Sequence, residues 1–476
     1  MPGLGSPLVL ETGLGVLMVL IFFVGVWSRG EDRRPVGVIC AVGLVVLLGV
    51  AWRSEPGFLF GGRFVQDELA IFAKRLFLLA TVIGVVGSLG LRSPTFARRA
   101  TEYHLAILAS LLGMLVLASA RELILLFVAF ELMSIPLYYL AGFLKREEEA
   151  VEAALKFFLV GTVSSAILVY GLSFLYGVAG TTDLLGVASS IRRGHPYPNP
   201  LLMLGMVLTL GGLGFKIAAF PFHMWVPDTY EAASTPFVAW LSVAPKAAGF
   251  VVIFRLYLEG VGDRVVLWVP IAAGLAAITI IAGNLMAIPQ QNVKRLLAYS
   301  GIAHIGYMLV GFAAVSATGV AMMLFYLVAY LFGNMGAFLV VEAVGQSEGS
   351  DSIAAYRGLA QRSPVLALSM LLFLLSLGGI PFVAGFWAKL YVFWAAAEQG
   401  LYWLVLVGAV LTVVALFYYL LVAKRMYIDA PATPAPIVVT PFLVFSIFLC
   451  VVGVVGMGLY PKPFVMAALR AAAPLF

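Results

Sequence analysis

Charge is what this sequence has least of. Asp, Glu, Lys and Arg make up 11% of its 476 residues, against about a quarter in a soluble domain, so there is no polar coat to keep such a chain in water. Cysteine is nearly absent as well. Cys40 and Cys450 stand far apart within apolar runs, and neither belongs to a CxxC pair. That argues against a disulfide scaffold or a cysteine-ligated cluster and reads as two small buried hydrophobes. No GxGxxG follows a strand pattern, and the 4 histidines show no paired haem-ligand spacing, so the chain offers no redox centre of its own. The N-terminus, MPGLGSPLVLE, lacks the basic stretch of a cleaved secretory signal, and the first hydrophobic run is expected to stay as a span.

Apolar residues are what the chain has in excess. They form 63% of it, with a mean hydropathy of +1.06. Runs of about 20 residues, enough to cross ~30 Å of hydrocarbon, follow one another with only short polar connections. They centre near residues 18, 44, 81, 111, 133, 163, 210, 247, 276, 307, 330, 375, 411 and 449. The expectation is an all-α polytopic membrane protein of about 14 transmembrane helices, with no separate soluble domain. Connections after odd-numbered spans hold Arg29, Arg33, Arg34, Arg92, Arg98, Arg99, Lys145, Arg146, Lys294, Arg295, Arg357, Arg362, Lys424 and Arg425. Even-numbered connections are poorer in Lys and Arg, so the odd ones should face the cytoplasm and both termini the opposite side of the cell membrane. This bias explains the net charge of +6 without nucleic acid. The run KREEEAVE at 145–152 reads as a solvated helix end.

The few charges inside the spans are more informative. Glu11, Lys74, Arg75, Lys156, Arg255, Glu342 and Glu398 lie near span ends, where long side chains reach the interface, and read as structural. Glu131 in LILLFVAFELMSIPLYYL, Lys216 in GGLGFKIAAFPFHMW, Lys246 in VAWLSVAPKAAGFVVIF and Lys389 in VAGFWAKLYVFWAA sit well inside apolar runs. A charge there costs about 2.5–3.5 kcal/mol on insertion scales. Burial disfavours the charged form of each, and an opposite charge nearby restores it, so a Glu and several Lys at one depth can exchange protons. A fixed ion-pair scaffold is the alternative, but three lysines against one glutamate leave positive charges that a scaffold would avoid. His304 in YSGIAHIGYMLVG stays open between a relay role and a buried structural hydrogen bond.

Two of these lysines lie beside helix breakers. Lys216 precedes Pro221, and Lys389 follows Gly378, Gly379 and Pro381. A proline within a helix costs about 3 kcal/mol. The breaks fall in the seventh and twelfth spans, and an offset of five crossings reverses direction, which predicts two inverted five-helix repeats with a broken helix in each. The expected division is 1–99 for three N-terminal helices, 100–260 for the first repeat, 261–428 for the second and 429–476 for a C-terminal helix.

FPFHMWVPDTYEAASTPFVAWLSVAPKAAGF, QQNVKRLLAYSGIAHIGYML and LGGIPFVAGFWAKLYVF together resemble the antiporter-like membrane subunits of respiratory complex I, and the resemblance runs over essentially the whole chain. Members with a glutamate in place of Lys389, or with a long C-terminal lateral helix, match less well. The resemblance implies a proton-translocating subunit of an NADH:quinone oxidoreductase. Flavin, iron–sulfur clusters and quinone would be held by partner subunits, and other antiporter-like subunits would be neighbours in the membrane arm. It also implies that Glu131 pairs with Lys216, that Lys246 is the central relay site, and that Lys389 faces the opposite half-channel. Subunits of multi-subunit Na⁺/H⁺ antiporters, or of related hydrogenase or reduced-coenzyme dehydrogenase complexes, share this design and are the alternative.

Overall fold

The computed structural model describes residues 6–28, 32–143, 148–193, 199–431 and 435–476, without the side chain of residue 263. Arg29, Lys145 and Arg146, counted above for orientation, and the first part of the KREEEAVE run lie outside the described residues. The helices are α1 (Val9–Trp27), α2 (Arg34–Ala51), α3 (Glu68–Ser88), α4 (Pro94–Ser119), α5 (Leu123–Ala141), α6 (Glu148–Ala179) and α7 (Leu184–Arg193). They continue with α8 (Pro200–Ile217), α9 (Trp225–Ala232), α10 (Thr235–Leu241), α11 (Ala244–Phe254), α12 (Val265–Ala287), α13 (Val293–Ala313), α14 (Ala317–Glu348) and α15 (Leu359–Arg362). The last are α16 (Pro364–Gly378), α17 (Ala384–Glu398), α18 (Tyr402–Tyr427), α19 (Pro441–Leu459) and α20 (Lys462–Ala472). A short hairpin, β1 (Gly57–Leu59) against β2 (Phe64–Gln66), joins α2 to α3.

Among the described residues, 13 segments are long and apolar enough to cross a membrane, and α16 is a shorter apolar helix where the remaining crossing was expected. Each centre read from the sequence falls in one of these segments or in α16. The central stretches of Thr235–Gly260 and Ala317–Glu348 are wholly buried within the protein, whereas only a third of the corresponding stretch of α1 is buried. The core of the fold is therefore the eighth and eleventh crossings, and the first lies at the rim.

The two repeats are visible in matching local structure. Glu122 caps α5 by accepting from the Leu125 N–H, and Asn292 caps α13 by accepting from the N–H groups of Lys294 and Arg295. Each cap forms an isolated antiparallel bridge with the chain that follows the next long helix, Glu122 with Asp183 and Asn292 with Ser352. Above each cap a glycine lets two helices touch. A Cβ on Gly113 of α4 would stand 2.3 Å from the Met133 nitrogen of α5, and one on Gly283 of α12 would stand 2.4 Å from the Ala303 nitrogen of α13. Only glycine permits so close an approach.

The expected breaks are present. α8 ends at Ala218, in the left-handed region at φ 65°, and α16 ends at Gly379 at φ 83°. At each, two N–H groups turn back onto the last helical carbonyls. Ala218 and Ala219 donate to Phe215 and Gly214, and Gly379 and Ile380 donate to Ser376 and Leu375. The Phe220–Pro221 peptide bond is cis. A third interruption was not expected. The eighth crossing is α10, a turn through Val243 (φ −120°, ψ −65°), then α11, then one π turn at Arg255–Gly260. Pro245, which has no N–H for the preceding turn, is its sequence cause.

Candidate functional site

Three buried lysines, Lys216, Lys246 and Lys389, are brought into one file along α8, α11 and α13, and the half-buried Glu131 stands beside the first of them. Lys216 ends α8 and is 2% exposed. Its stem packs on α11, where a Cβ on Gly249 would lie 3.5 Å from its Cγ. One turn earlier on α11 stands Lys246, 1% exposed. Lys246 Nζ lies 5.4 Å from the Tyr230 ring centre and close to Gly301 of α13, whose added Cβ would be 3.7 Å away. Two turns along α13, Tyr307 presents its ring 4.7 Å from Lys389 Nζ. Between Gly301 and Tyr307 on the same helix sits His304, within the electrostatic reach of both Lys246 and Lys389. Six residues of helix advance about 9 Å, so α13 spans the space between the two lysines.

The surroundings of each charge differ. Glu131, on α5, accepts a hydrogen bond from Ser165 Oγ of α6 at 2.6 Å. Lys216 Nζ has no hydrogen-bond partner and lies 5.0 Å from the ring of Phe130, the residue before Glu131. Glu131 is within electrostatic reach of Lys216, but among the described residues the expected pairing is not a direct ion pair: the ammonium lies over the Phe130 ring and the serine bonds the carboxylate. Lys246 Nζ also has no hydrogen-bond partner. Lys389 Nζ donates to the Gly378 carbonyl at 3.4 Å, the group freed where α16 stops. His304 is hydrogen-bonded at both nitrogens, Nδ1 with Tyr326 OH at 2.7 Å and Nε2 with Tyr419 OH at 3.2 Å.

Sequence reasoning missed the tyrosines. Tyr419 OH also bonds Ser300 Oγ, Tyr418 OH donates to Asn284 Oδ1 at 3.0 Å, and Asn284 Nδ2 donates to Tyr307 OH at 3.2 Å. These groups make a continuous polar lining from the ring under Lys389 to His304. Tyr326 and Tyr330 at helical spacing, and the adjacent Tyr418 and Tyr419, were the available signals. Ser165, in the Thr-Val-Ser-Ser run of α6, was another.

Two of the residues read as structural near span ends are enclosed by the protein rather than reaching out of it. Lys74 and Arg255 are fully buried. Lys74 Nζ lies 2.7 Å from Glu11 and donates to Gln66 Oε1 at 3.0 Å. Arg255 donates to both Asp67 oxygens at 2.7 Å and pairs with Glu259, which Arg121 also holds at 2.8 Å. Snorkelling was inferred from distance to the span end. Carboxylates from other elements meet both cations within the protein, so neither side chain has to reach water.

Paired broken helices within inverted five-crossing repeats, each beside a buried lysine, define a class of multi-pass membrane protein built around a midplane site. The chain belongs to the NADH:quinone oxidoreductase/Mrp antiporter transmembrane family, whose model matches residues 120–415. It is 40% identical over 468 residues to the NADH-quinone oxidoreductase subunit N of Moorella thermoacetica, covering 98% of this chain and 96% of that one. Among solved structures it is similar to a chain of respiratory complex I from Thermus thermophilus, with a TM-score of 0.81 and 32% identity over 96% of this chain and 98% of that chain. A chain of the Mrp complex from Dietzia shares the fold at a TM-score of 0.88 and 20% identity, over 98% of this chain and 97% of that chain.

Proposed function

We propose that this chain is the antiporter-like subunit N of a bacterial NADH:quinone oxidoreductase, moving protons through Glu131, Lys216, Lys246 and Lys389 on energy delivered by redox chemistry in other subunits. His304 belongs to the relay on this reading, as the group between the two distal lysines. The observation that carries the proposal is the file itself. Two of its amines, at Lys216 and Lys246, are buried and make no hydrogen bond to the protein among the described residues, and burial of this kind disfavours the charged form of a lysine. Such a cost is tolerated where the proton must leave. Identity of 40% over nearly the whole chain to a subunit N supports the assignment to that enzyme.

Flavin, iron–sulfur clusters and quinone belong on this reading to partner subunits, and the chain contributes no redox centre. The neighbours are other membrane-arm subunits, met through exposed apolar faces such as those of α1, α2 and α18. The chain sits in the cell membrane with both termini on the non-cytoplasmic side, as the basic residues of the odd connections favour. A subunit of a multi-subunit Na⁺/H⁺ antiporter is the second reading, favoured by the shared fold of the Dietzia Mrp chain.

The test is Lys246→Met in the assembled complex, reconstituted in sealed vesicles. Quinone-linked pumping per electron is expected to fall while assembly is kept. Unchanged pumping per electron removes Lys246 from the relay, and ion exchange without quinone reduction favours the second reading.

A further inference from the structure

A polar cavity of about 590 Å³ opens on the face that carries the odd-numbered connections, outside the lysine file. Its walls include the carboxylates of Glu149, Glu231, Glu342 and Asp351 against one ammonium, Lys294. The acidic lining alone would not make a site. Ser234 also lines the cavity, 9% exposed, and its Oγ has no hydrogen-bond partner. The fully buried Tyr103 hydroxyl stands near the Ser234 side chain and Glu342, and among the described residues neither hydroxyl makes a hydrogen bond of normal geometry.

From this cavity one ridge of α14 leads inward in four-residue steps, Glu342, Phe338, Asn334, Tyr330 and Tyr326, the row that winds along a helix surface. Its outer member lines the cavity, and its inner member holds His304. Asn334 Nδ2 donates to Ser242 Oγ at 2.7 Å, but its Oδ1 and the Tyr330 hydroxyl have no partner, and neither does the hydroxyl of Tyr230 beneath Lys246. Unsatisfied polar atoms lie therefore on both sides of Phe338. Each costs about 1–3 kcal/mol if left dry, and a polar site of adequate size holds waters that make two to four bonds each. Phe338 is the one ridge member without a polar atom. It is fully buried and meets the Tyr230 ring edge-on at 5.7 Å.

We infer that Phe338, closed against Tyr230, is the gate of a water-borne proton inlet that runs from this cavity to Lys246, with Glu342 as the carboxylate at its outer mouth. This rests on the relay reading of Lys246. Glu342 takes a proton from hydronium and releases water. When the ring moves aside the proton passes along waters between Asn334, Tyr330 and Tyr230 to neutral Lys246, leaving Glu342 ionised and Lys246 as ammonium.

Accessibility tests the gate without altering it. Ser350→Cys, at the exposed rim of the cavity, and Asn334→Cys are made separately in the full complex, treated with a small charged methanethiosulfonate, and the label is read on this chain after it is separated from its partner subunits. Within this chain the native Cys40 and Cys450 are buried and give little background. Ser350→Cys should be modified and Asn334→Cys protected. Equal modification of both, or of neither, overturns the gate. In sealed vesicles without turnover, Phe338→Ala should raise passive proton leak several-fold and expose Asn334→Cys, and adding Lys246→Met should return the leak to the native level. No leak and continued protection of Asn334→Cys in an assembled Phe338→Ala complex would overturn the inference. Normal pumping in Lys246→Met alone would instead overturn the relay, and the thiol pattern would still report whether the inlet exists.

Discussion

At the first helix break the lysine comes before the turn, and at the second it comes after. The turns share their backbone bonds, but the freed carbonyls are met differently. At the first, Trp225 Nε1 donates to the Phe215 carbonyl at 3.2 Å, so Lys216 is not needed as a cap and its amine stays unbonded beside Glu131. At the second, Lys389 itself donates to Gly378 O. Its charge rests on the negative end of α16, where a cation is favoured, and the Tyr307 ring. One backbone device thus supports a lysine whose charge depends on a carboxylate and another whose charge depends on the backbone. The positions of the two lysines cannot be exchanged by simple inversion.

The largest effect that tests this difference is expected at Lys389. Arginine keeps the charge and can still meet Gly378 O, but it cannot be deprotonated in a protein. If Lys389 passes a proton, Lys389→Arg should lower pumping about 100-fold, as Lys389→Ala does, the scale on which positioned proton-transfer groups act. Full pumping in vesicles containing Lys389→Arg would show that the second site supplies only charge, and the relay would end before it.

A smaller loss is expected at the first break. Glu131→Gln removes the negative charge beside Lys216, and an opposite charge nearby favours the ammonium form. Pumping should fall several-fold, less than at Lys389, whereas Glu131→Asp keeps the charge and should do less harm. Equal damage from Asp and Gln would mean that the bond from Ser165, rather than the charge, sets the site.

These contrasts show what the sequence could and could not carry. Buried lysines and their breakers are local features, since an apolar run, a Gly or Pro and a charge within a few residues give the crossing, its break and its candidate site together. The five-crossing offset then relates the two breaks without any knowledge of contacts. Partners are not local. Arg255 meets Asp67 at a separation of 188 residues and His304 meets Tyr419 at 115, so a rule based on distance to the span end could read Arg255 and Lys74 as structural but could not name the carboxylates that hold them. Ser165 and the tyrosines had no charge to mark them, and in a chain with 13% aromatics a tyrosine on a helix reads as packing. The Val243 turn was marked only by Pro245, next to Lys246.

The smallest expected effect is in stability, and it separates backbone from side chain at the two breaks. Gly379 occupies φ 83° and a Cβ there would stand 3.0 Å from Lys389 Cδ. A left-handed conformation costs an ordinary residue about 1–2 kcal/mol, and Lys389 would have to shift as well. Gly379→Ala should lower the thermal inactivation temperature of the assembled complex and also reduce pumping. Ala218 already bears the conformational cost at φ 65°. Ala218→Gly relieves it, but glycine loosens the unfolded chain by about 0.4–1 kcal/mol, so stability should rise by less than the mirror change removes, and pumping should stay near native because Lys216 precedes the turn. A pumping defect in Ala218→Gly equal to that in Gly379→Ala would mean that both lysines are set by the geometry of the turn, and the division between carboxylate and backbone support would fail.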